Sequence, residues 1–350
     1  MNQGVSWLRG AGAGRKRVRI LFTCAGRRIE LIQAFGRAAE SLALDLLVHT
    51  ADSDPQVAAA CLARNAHCLP RTSSDGYLDA LLEVVRREQI DLLIPLVDLD
   101  LVKLSEARER FAALSCGVII SSAEVVRTCR DKLATFNFLT RSLIDTPKTW
   151  TPDELLARDQ HQFPYFLKPR FGSASMGNAV IHSDEDLQAF VPRVPDAIIQ
   201  EFVPGIEHTL DVYTGYDGVP RCVVPRERLE VRGGEVVKAR TVNHPGIMQV
   251  GVRVVEALGE CAGLITIQCI LSPDGRIRVI EINPRFGGGV PLAIHAGADF
   301  PAWLLAEWLG RPVDIRLDQF RDGVLMLRYH QSFFQEGHAR GAVSENVPPE

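Results

Sequence analysis

The sequence predicts an α/β chain in three units: a parallel sheet covered by helices, a small α/β unit, and a larger, mostly antiparallel unit with helices. Three observations carry this reading. In the first third, apolar β-rich runs alternate with helix-spaced segments, the signature of an open parallel sheet. Those runs are almost continuously apolar, as strands covered on both faces are. Beyond Glu207, strand patterns recur around the hairpin dipeptides Asp217-Gly218, Gly233-Gly234 and Asp274-Gly275.

Taken in order, Val18–Thr23, Leu44–Thr50, Ile90–Leu96 and Val118–Ser121 read as strands. Helices are expected over Ile29–Leu42, Pro55–Arg64 and Tyr77–Arg87. In the last of these, Leu78, Leu81, Leu82 and Val85 share one helical face. One helical stretch carrying Asp131-Lys132 runs to Ile144 and stops before Thr146-Pro147, since the residue before a proline avoids helix. Phe163–Lys168, Ala179–His182 and Ala197–Val203 are expected strands, and Gly246–Leu258 and Pro291–Leu309 expected helices. The implied boundaries are a tail over 1–16, the parallel unit over 17–121, the small unit with its linking helix over 122–200, the larger unit over 201–336 and a polar tail over 337–350.

Hydrophobic residues make up 46% and charged residues 23%, so a packed globular chain is expected rather than disorder. A net charge of −4 argues against nucleic acid or an anionic membrane as partner. No apolar run reaches the ~20 residues of a membrane span, and the basic, small-residue N-terminus lacks the apolar core of a secretory signal. A cytoplasmic protein is expected. Its eight cysteines form no CxxC pair and read as reduced thiols.

The strongest chemical signal is the stretch Ile265–Pro284, two strands around Asp274-Gly275. Residues two apart in a strand point the same way. Glu281 and Asn283 therefore share a face, with Ile280 and Ile282 on the other. A two-residue turn pairs Pro273 with Arg276 and sets Gln268 opposite Glu281; an odd-length loop would break that pairing. Two amides and an acid on one face suit a hard divalent cation, which takes oxygen ligands. The alternative is an ordinary solvated face. The segment Asn283-Pro-Arg285-Phe-Gly-Gly-Gly289 follows at once. Its glycines permit close approach to the backbone, and Arg285 can fork onto a phosphate or carboxylate.

Lys168 ends an apolar strand and precedes the loop Gly172-Ser173-Ala-Ser175-Met-Gly177. The amides and hydroxyls of that loop, Ser173 and Ser175 included, could close over nucleotide phosphates, with Lys168 adding charge. It is not a Walker A loop, because the lysine comes first. In Gln200-Glu201-Phe-Val203-Pro-Gly-Ile-Glu207, a strand enters a proline segment that can leave backbone groups to read adenine, and Glu207 can accept from ribose hydroxyls. A plain hinge is the rival reading. Lys238 and Arg240 share a strand face, turned to phosphates or to solvent. Thr23–Arg28, after the first strand, reads either as an anion-holding turn or as a simple βα connection.

This succession resembles the ATP-grasp superfamily: strand-lysine-Gly/Ser loop, then Gln-Glu-Phe-Val-Pro-Gly-x-Glu, then Gln268 and Glu281-x-Asn283-Pro-Arg285. The likeness is to the synthetase halves of the carbamoyl-phosphate synthase large chain and to single-module ligases such as the pyrrolysine-pathway lysine ligase. It covers roughly residues 18–330. It implies an ATP-grasp fold of two α+β lobes behind a Rossmann-like, parallel-sheet pre-ATP-grasp domain. It implies Lys168 and Lys132 as phosphate lysines, Glu201 and Val203 as the adenine hinge, and Glu207 as the ribose carboxylate. It further implies Gln268, Glu281 and Asn283 as magnesium ligands, with Mn2+ able to substitute. Arg285 would hold the reacting phosphate, and Lys238 is grouped with Lys168 and Arg285 as catalytic.

The expected activity is an ATP-dependent ligation. A small-molecule carboxylate becomes an acyl phosphate and is joined to an amine, with ADP and phosphate released. A single module without a glutamine-hydrolysing unit argues against a complete carbamoyl-phosphate synthase; bicarbonate or carbamate phosphorylation is the alternative. A nicotinamide oxidoreductase lacks its GxGxxG after the first strand, since Gly10–Gly14 lies on the wrong side of it. A non-catalytic nucleotide-binding protein would not need the metal trio. The apolar N-terminal helices are compatible with a homodimer.

Overall fold

A five-stranded parallel sheet opens the computed structural model, which describes residues 14–172 and 176–334. Strands β1 (Lys16–Thr23), β2 (Leu44–Asp52), β3 (Asn65–Cys68), β4 (Leu92–Pro95) and β5 (Gly117–Val118) lie in the order β3-β2-β1-β4-β5. Helix α1 (Ile29–Ser41) buries Leu31, Ile32, Phe35, Ala38 and Ala39 along one stripe. Helix α2 (Tyr77–Glu88) buries Leu81, Leu82 and Val85 and ends at Gln89, whose left-handed φ of 53° lets its N–H reach Val85. Short helices α3 (Leu101–Glu106) and α4 (Arg108–Ala112) follow β4. The helix expected over Pro55–Arg64 is only a 3-10 turn, Ala58–Leu62. Strand β3 begins at Asn65 to pair with His49, which leaves no length for an α-helix. The tails and the Gly10–Gly14 reading lie wholly or almost wholly outside the described residues.

The helical stretch predicted through Asp131 is two helices, α5 (Ala123–Arg130) and α6 (Lys132–Arg141). Asp131 is extended between them, and its carboxylate accepts from the Leu133 and Ala134 N–H groups. An aspartate that caps cannot also continue the preceding helix. A four-stranded sheet, order β6-β9-β7-β8, then forms from β6 (Thr149–Trp150), β7 (Tyr165–Pro169), β8 (Ala179–Ile181) and β9 (Ala197–Glu201). Helices α7 (Pro152–Leu156) and α8 (Asp184–Phe190) cover it. Its core is its own: Leu155, Tyr165, Leu167, Ile181, Leu187 and Ile199.

The third sheet is antiparallel, order β14-β13-β10-β11-β12-β15. Its strands are β10 (Ile206–Gly215), β11 (Cys222–Arg232), β12 (Glu235–Thr241), β13 (Gly263–Leu271), β14 (Ile277–Asn283) and β15 (Leu325–Leu327). Helix α9 (Pro245–Leu258) packs Ile247, Met248, Val254 and Val255 on one face, against Leu210, Val212, Ile265, Ile267 and Ile282. The helix expected over Pro291–Leu309 breaks at Gly297, φ 118°, into α10 (Val290–Ala296) and α11 (Phe300–Trp308), the latter capped by Asp299. One core runs from the first sheet into the third, joining Ile20, Phe22 and Phe35 to Tyr213, Phe286 and Phe300. Among the described residues no helix is long and apolar enough to cross a membrane.

Candidate active site

The β13–β14 hairpin reaches its register by a route different from the one expected. Its loop has three residues, Pro273–Gly275, with Ser272 N–H bonded to Arg276 O and Gly275 at φ 82°. That is the three-residue hairpin loop with a left-handed glycine. It pairs Cys269 with Val279, one residue out of the expected step. A bulge between Gln268 and Cys269 restores the step, so Gln268 does stand opposite Glu281 and Thr266 opposite Asn283. The bulge also corrects the expected facing. Val279 and Ile282 enter the core, while Ile280 is only half-buried and its carbonyl accepts the Lys168 ammonium at 3.2 Å.

The pairings across the sheet then define a polar face. Thr209 lies opposite both Gln268 and Arg226, and Asp211 opposite Thr266. Glu207, Thr209, Asp211, Arg226, Thr266, Gln268, Glu281 and Asn283 therefore share the side away from the α9 core. Arg226 and Asp211 form a fully buried pair, with Nε 2.7 Å from Oδ2. Sequence reasoning passed over this pair. Its signal was an acid inside the apolar run Thr209–Gly215 and an arginine at the end of the apolar run Cys222–Pro225, two strands that a hairpin brings together. Glu207 lies 3.0 Å from the Arg228 guanidinium.

The small sheet adds its lysine from above. Lys168 is almost fully buried. Burial lowers its ammonium to about 8, against the attraction of Glu281, with Lys132 lowering it further. Lys132, first residue of α6, donates to Gly172 O at 2.9 Å; burial lowers its pKa too, and Glu281 opposes that. Burial raises Glu207, Arg228 opposes, and Glu281 raises it further. Lys168, Lys132 and Glu207 thus each feel the charge of Glu281. A cleft here is lined by Asp98, Lys132, Gly172, Glu281, Asn283 and Pro284.

Arg285 borders that cleft. Its Nη2 donates to Asp98, from the loop after β4, and lies 3.4 Å from Asn283 Oδ1. Its Nε is buried with no partner among the described residues. Asp98 was not anticipated either; its signal was an acid just past the carboxyl end of a parallel strand. Glu201 accepts weakly from Lys148 N–H, 3.4 Å, and Val203 is buried in the hinge that leads to β10. Ser173 and Ser175 lie outside the described residues.

Lys238 is not brought to this group. Arg240 lies opposite Glu227, on the sheet face away from Arg226, and its side chain bonds Glu227. Lys238, two residues before it, stands 3.8 Å from Glu230 and is half-exposed. The three glycines after Arg285 receive neighbouring side chains. A Cβ at Gly288 would stand 2.6 Å from Arg28 Nη1, and one at Gly289 2.2 Å from Arg226 Nη1.

Comparison with known proteins finds likeness over both parts of the chain. Residues 129–289 match the ATP-grasp domain and residues 20–119 the PylC-like, N-terminal domain. The 3-methyl-D-ornithine–L-lysine ligase of Methanosarcina barkeri is 26% identical over 270 residues, 75% of this chain and 67% of that protein. The D-alanine–D-alanine ligase of Thermotoga petrophila is 31% identical over 172 residues, 44% of this chain and 56% of that one. The fold is shared with the crystal structure of an L-amino acid ligase from Bacillus licheniformis, TM-score 0.66 at 18% identity over 85% of this chain and 75% of that one. The chain carries a PylC-like N-terminal domain ahead of an ATP-grasp domain and is homologous to 3-methyl-D-ornithine–L-lysine ligase and other ATP-grasp ligases.

Proposed function

We propose that this ligase uses ATP with magnesium to phosphorylate the carboxylate of an amino acid and then joins the acyl group to an amine, releasing ADP and phosphate. The observation that carries the reading is the facing of Gln268, Glu281 and Asn283 against Lys168 and Lys132. The donor set fits a hard cation, being one carboxylate and two amides on one side of a rigid ladder. When bound there, the ion would draw charge from the β- and γ-phosphate oxygens.

The chain's own groups supply the rest. Lys168 and Lys132 put positive charge beside the phosphates, where a carboxylate nucleophile would otherwise be repelled. Arg285, steadied by Asp98, has a free buried Nε suited to the transferred phosphoryl oxygens. Glu201, Val203 and Glu207 would hold adenine and ribose at the hinge. The small sheet would cover the acyl phosphate and keep water from it. The amine then attacks the acyl carbon, phosphate leaves, and the amine proton passes to solvent or to the departing phosphate. Relatives named for joining amino acids favour this over bicarbonate phosphorylation, nicotinamide chemistry or nucleotide sensing.

The test is ADP release over pairs of amino acids, other carboxylates, amines and bicarbonate. Glu281→Ala is expected to lower kcat by at least about 100-fold, the scale of a lost transition-state charge contact, while circular dichroism stays native. Near-normal turnover in that variant would remove the metal assignment, and turnover on bicarbonate alone would remove the amino-acid reading.

A further inference from the structure

Four arginines crowd the turn Gly287–Gly289, and three of them have a carboxylate of their own. Arg285 has Asp98, Arg226 has Asp211, and Arg328 has Glu30 at 3.2 Å while also donating to Gly288 O at 2.7 Å. Arg28 differs. It closes the β1–α1 turn, its N–H bonded to Ala25 O at 2.8 Å, and its guanidinium occupies the space that a side chain at Gly288 would fill. The carboxylates whose charge it feels are Glu235 and Asp98. Each is taken: Glu235 by Arg27 at 2.9 Å, Asp98 by Arg285. No carboxylate among the described residues lies within 4.0 Å of Arg28. Burial and the neighbouring Arg285 charge push its pKa down to about 10, so the site is short of negative charge.

The position points to a ligand as well. In the order β3-β2-β1-β4-β5, the direction of winding reverses at β1 and β4. Open parallel sheets bind ligands beyond the carboxyl ends of the strands at such a point. Arg28 follows β1 and Asp98 follows β4. Moving outward from the metal face, the groups come in sequence: Asn283, then Arg285 at 3.4 Å, then Arg28, whose strongest charged neighbour is Arg285.

We propose that Arg28 docks the unreacted carboxylate of the amine substrate, so that the acceptor is an amino acid and not a simple amine. This rests on the ligase reading above. The donor's carboxylate is consumed beside Asn283 and Arg285. The acceptor keeps its own carboxylate throughout, and that group needs a cation one step removed from the phosphates. A guanidinium holds a carboxylate through two parallel hydrogen bonds, which fixes the direction of the adjoining amine toward the acyl carbon.

The experiment measures ADP release by wild-type, Arg28→Met and Arg28→Lys enzyme, with amino acids and their carboxamides as acceptors at saturating ATP. Wild type should favour the free carboxylate. Arg28→Met should raise KM for that acceptor by about 10- to 100-fold, the range of a charged hydrogen bond, and lose the preference over the carboxamide. Arg28→Lys should keep part of it, and ADP affinity by calorimetry should be unchanged in both, which also reports a folded site. An Arg28→Met enzyme that retains the preference overturns the assignment, as does wild type that accepts carboxamides equally well. The ligase reading survives either result. No ADP release with any pair sinks the ligase reading and takes this inference with it.

Discussion

Lys168 illustrates how one buried residue sets opposite pH trends for stability and for activity. Its ammonium titrates near 8 in the folded chain, against an ordinary 10.5, because burial outweighs the attraction of Glu281. Between those values the unfolded chain binds the extra proton, so stability rises as pH rises through that window. Activity should move the other way, since the neutral amine offers the phosphates no charge. The expected result is a basic limb near pH 8 in kcat/KM for ATP, which reports the free enzyme. Lys168→Arg should flatten it, because arginine stays charged. A limb that survives in Lys168→Arg would belong to another group. Glu281 and Asn283 were legible in the sequence because strand alternation gives their shared face, and Lys168 because it ends an apolar strand just before a Gly/Ser loop. Arg28 was legible only as part of a possible anion-holding turn, and Asp98 was not, since the two come from turns about 70 residues apart that meet only once the parallel sheet has formed. That Lys238 stands apart from this group was not legible, because alternation fixes a side chain relative to its own strand and says nothing of that strand's place in the sheet.

At the scale of elements, register is the decisive quantity, and small irregularities set it. An odd-length loop and a bulge cancel in β13–β14, so the expected pairing of Gln268 with Glu281 is met through two departures from the expected geometry. The sequence carries the loop's glycine but no clear mark of the bulge, which answers to Lys168 docking on Ile280 O. The hinge into β10 has a comparable constraint. Gly205 has φ 154°, and a Cβ there would stand 2.4 Å from Leu271 O. Because Ile206 pairs with Leu271, the hinge backbone is pressed onto the end of β13. Gly205→Ala should cost ~1–3 kcal/mol in urea unfolding from strained backbone alone, more where β13 cannot yield, and should raise KM for ATP through the displaced hinge. Gly233→Ala, in the β11–β12 turn with nothing within 4 Å of a Cβ, should cost only the strain of its positive φ. Equal losses for the two would mean that the contact with Leu271 is unimportant.

Across the whole molecule, the distribution of cores says which part can move. The parallel sheet and the antiparallel sheet share one core, sealed where Phe35 meets Phe286 at 5.9 Å and where Phe300 stacks on Tyr213 at 5.9 Å. Among the described residues the four-stranded sheet has a core of its own and meets the antiparallel sheet through polar contacts such as Lys168 on Ile280 O. Segments with few shared apolar contacts open locally at lower free energy than the global transition. Amide exchange is therefore expected to be faster in β7 and β8 than in β1, β4 and β10 in the free protein. Magnesium with a non-hydrolysable ATP analogue should slow exchange selectively in β7 and β8, because a ligand stabilises the state it bridges. In Glu281→Ala the magnesium-dependent part of that slowing should vanish while the nucleotide-only part persists. Uniform exchange across all three sheets, or slowing spread evenly over β1 and β4, would show that the small sheet is not a separate body and would remove the proposed closure over an acyl phosphate.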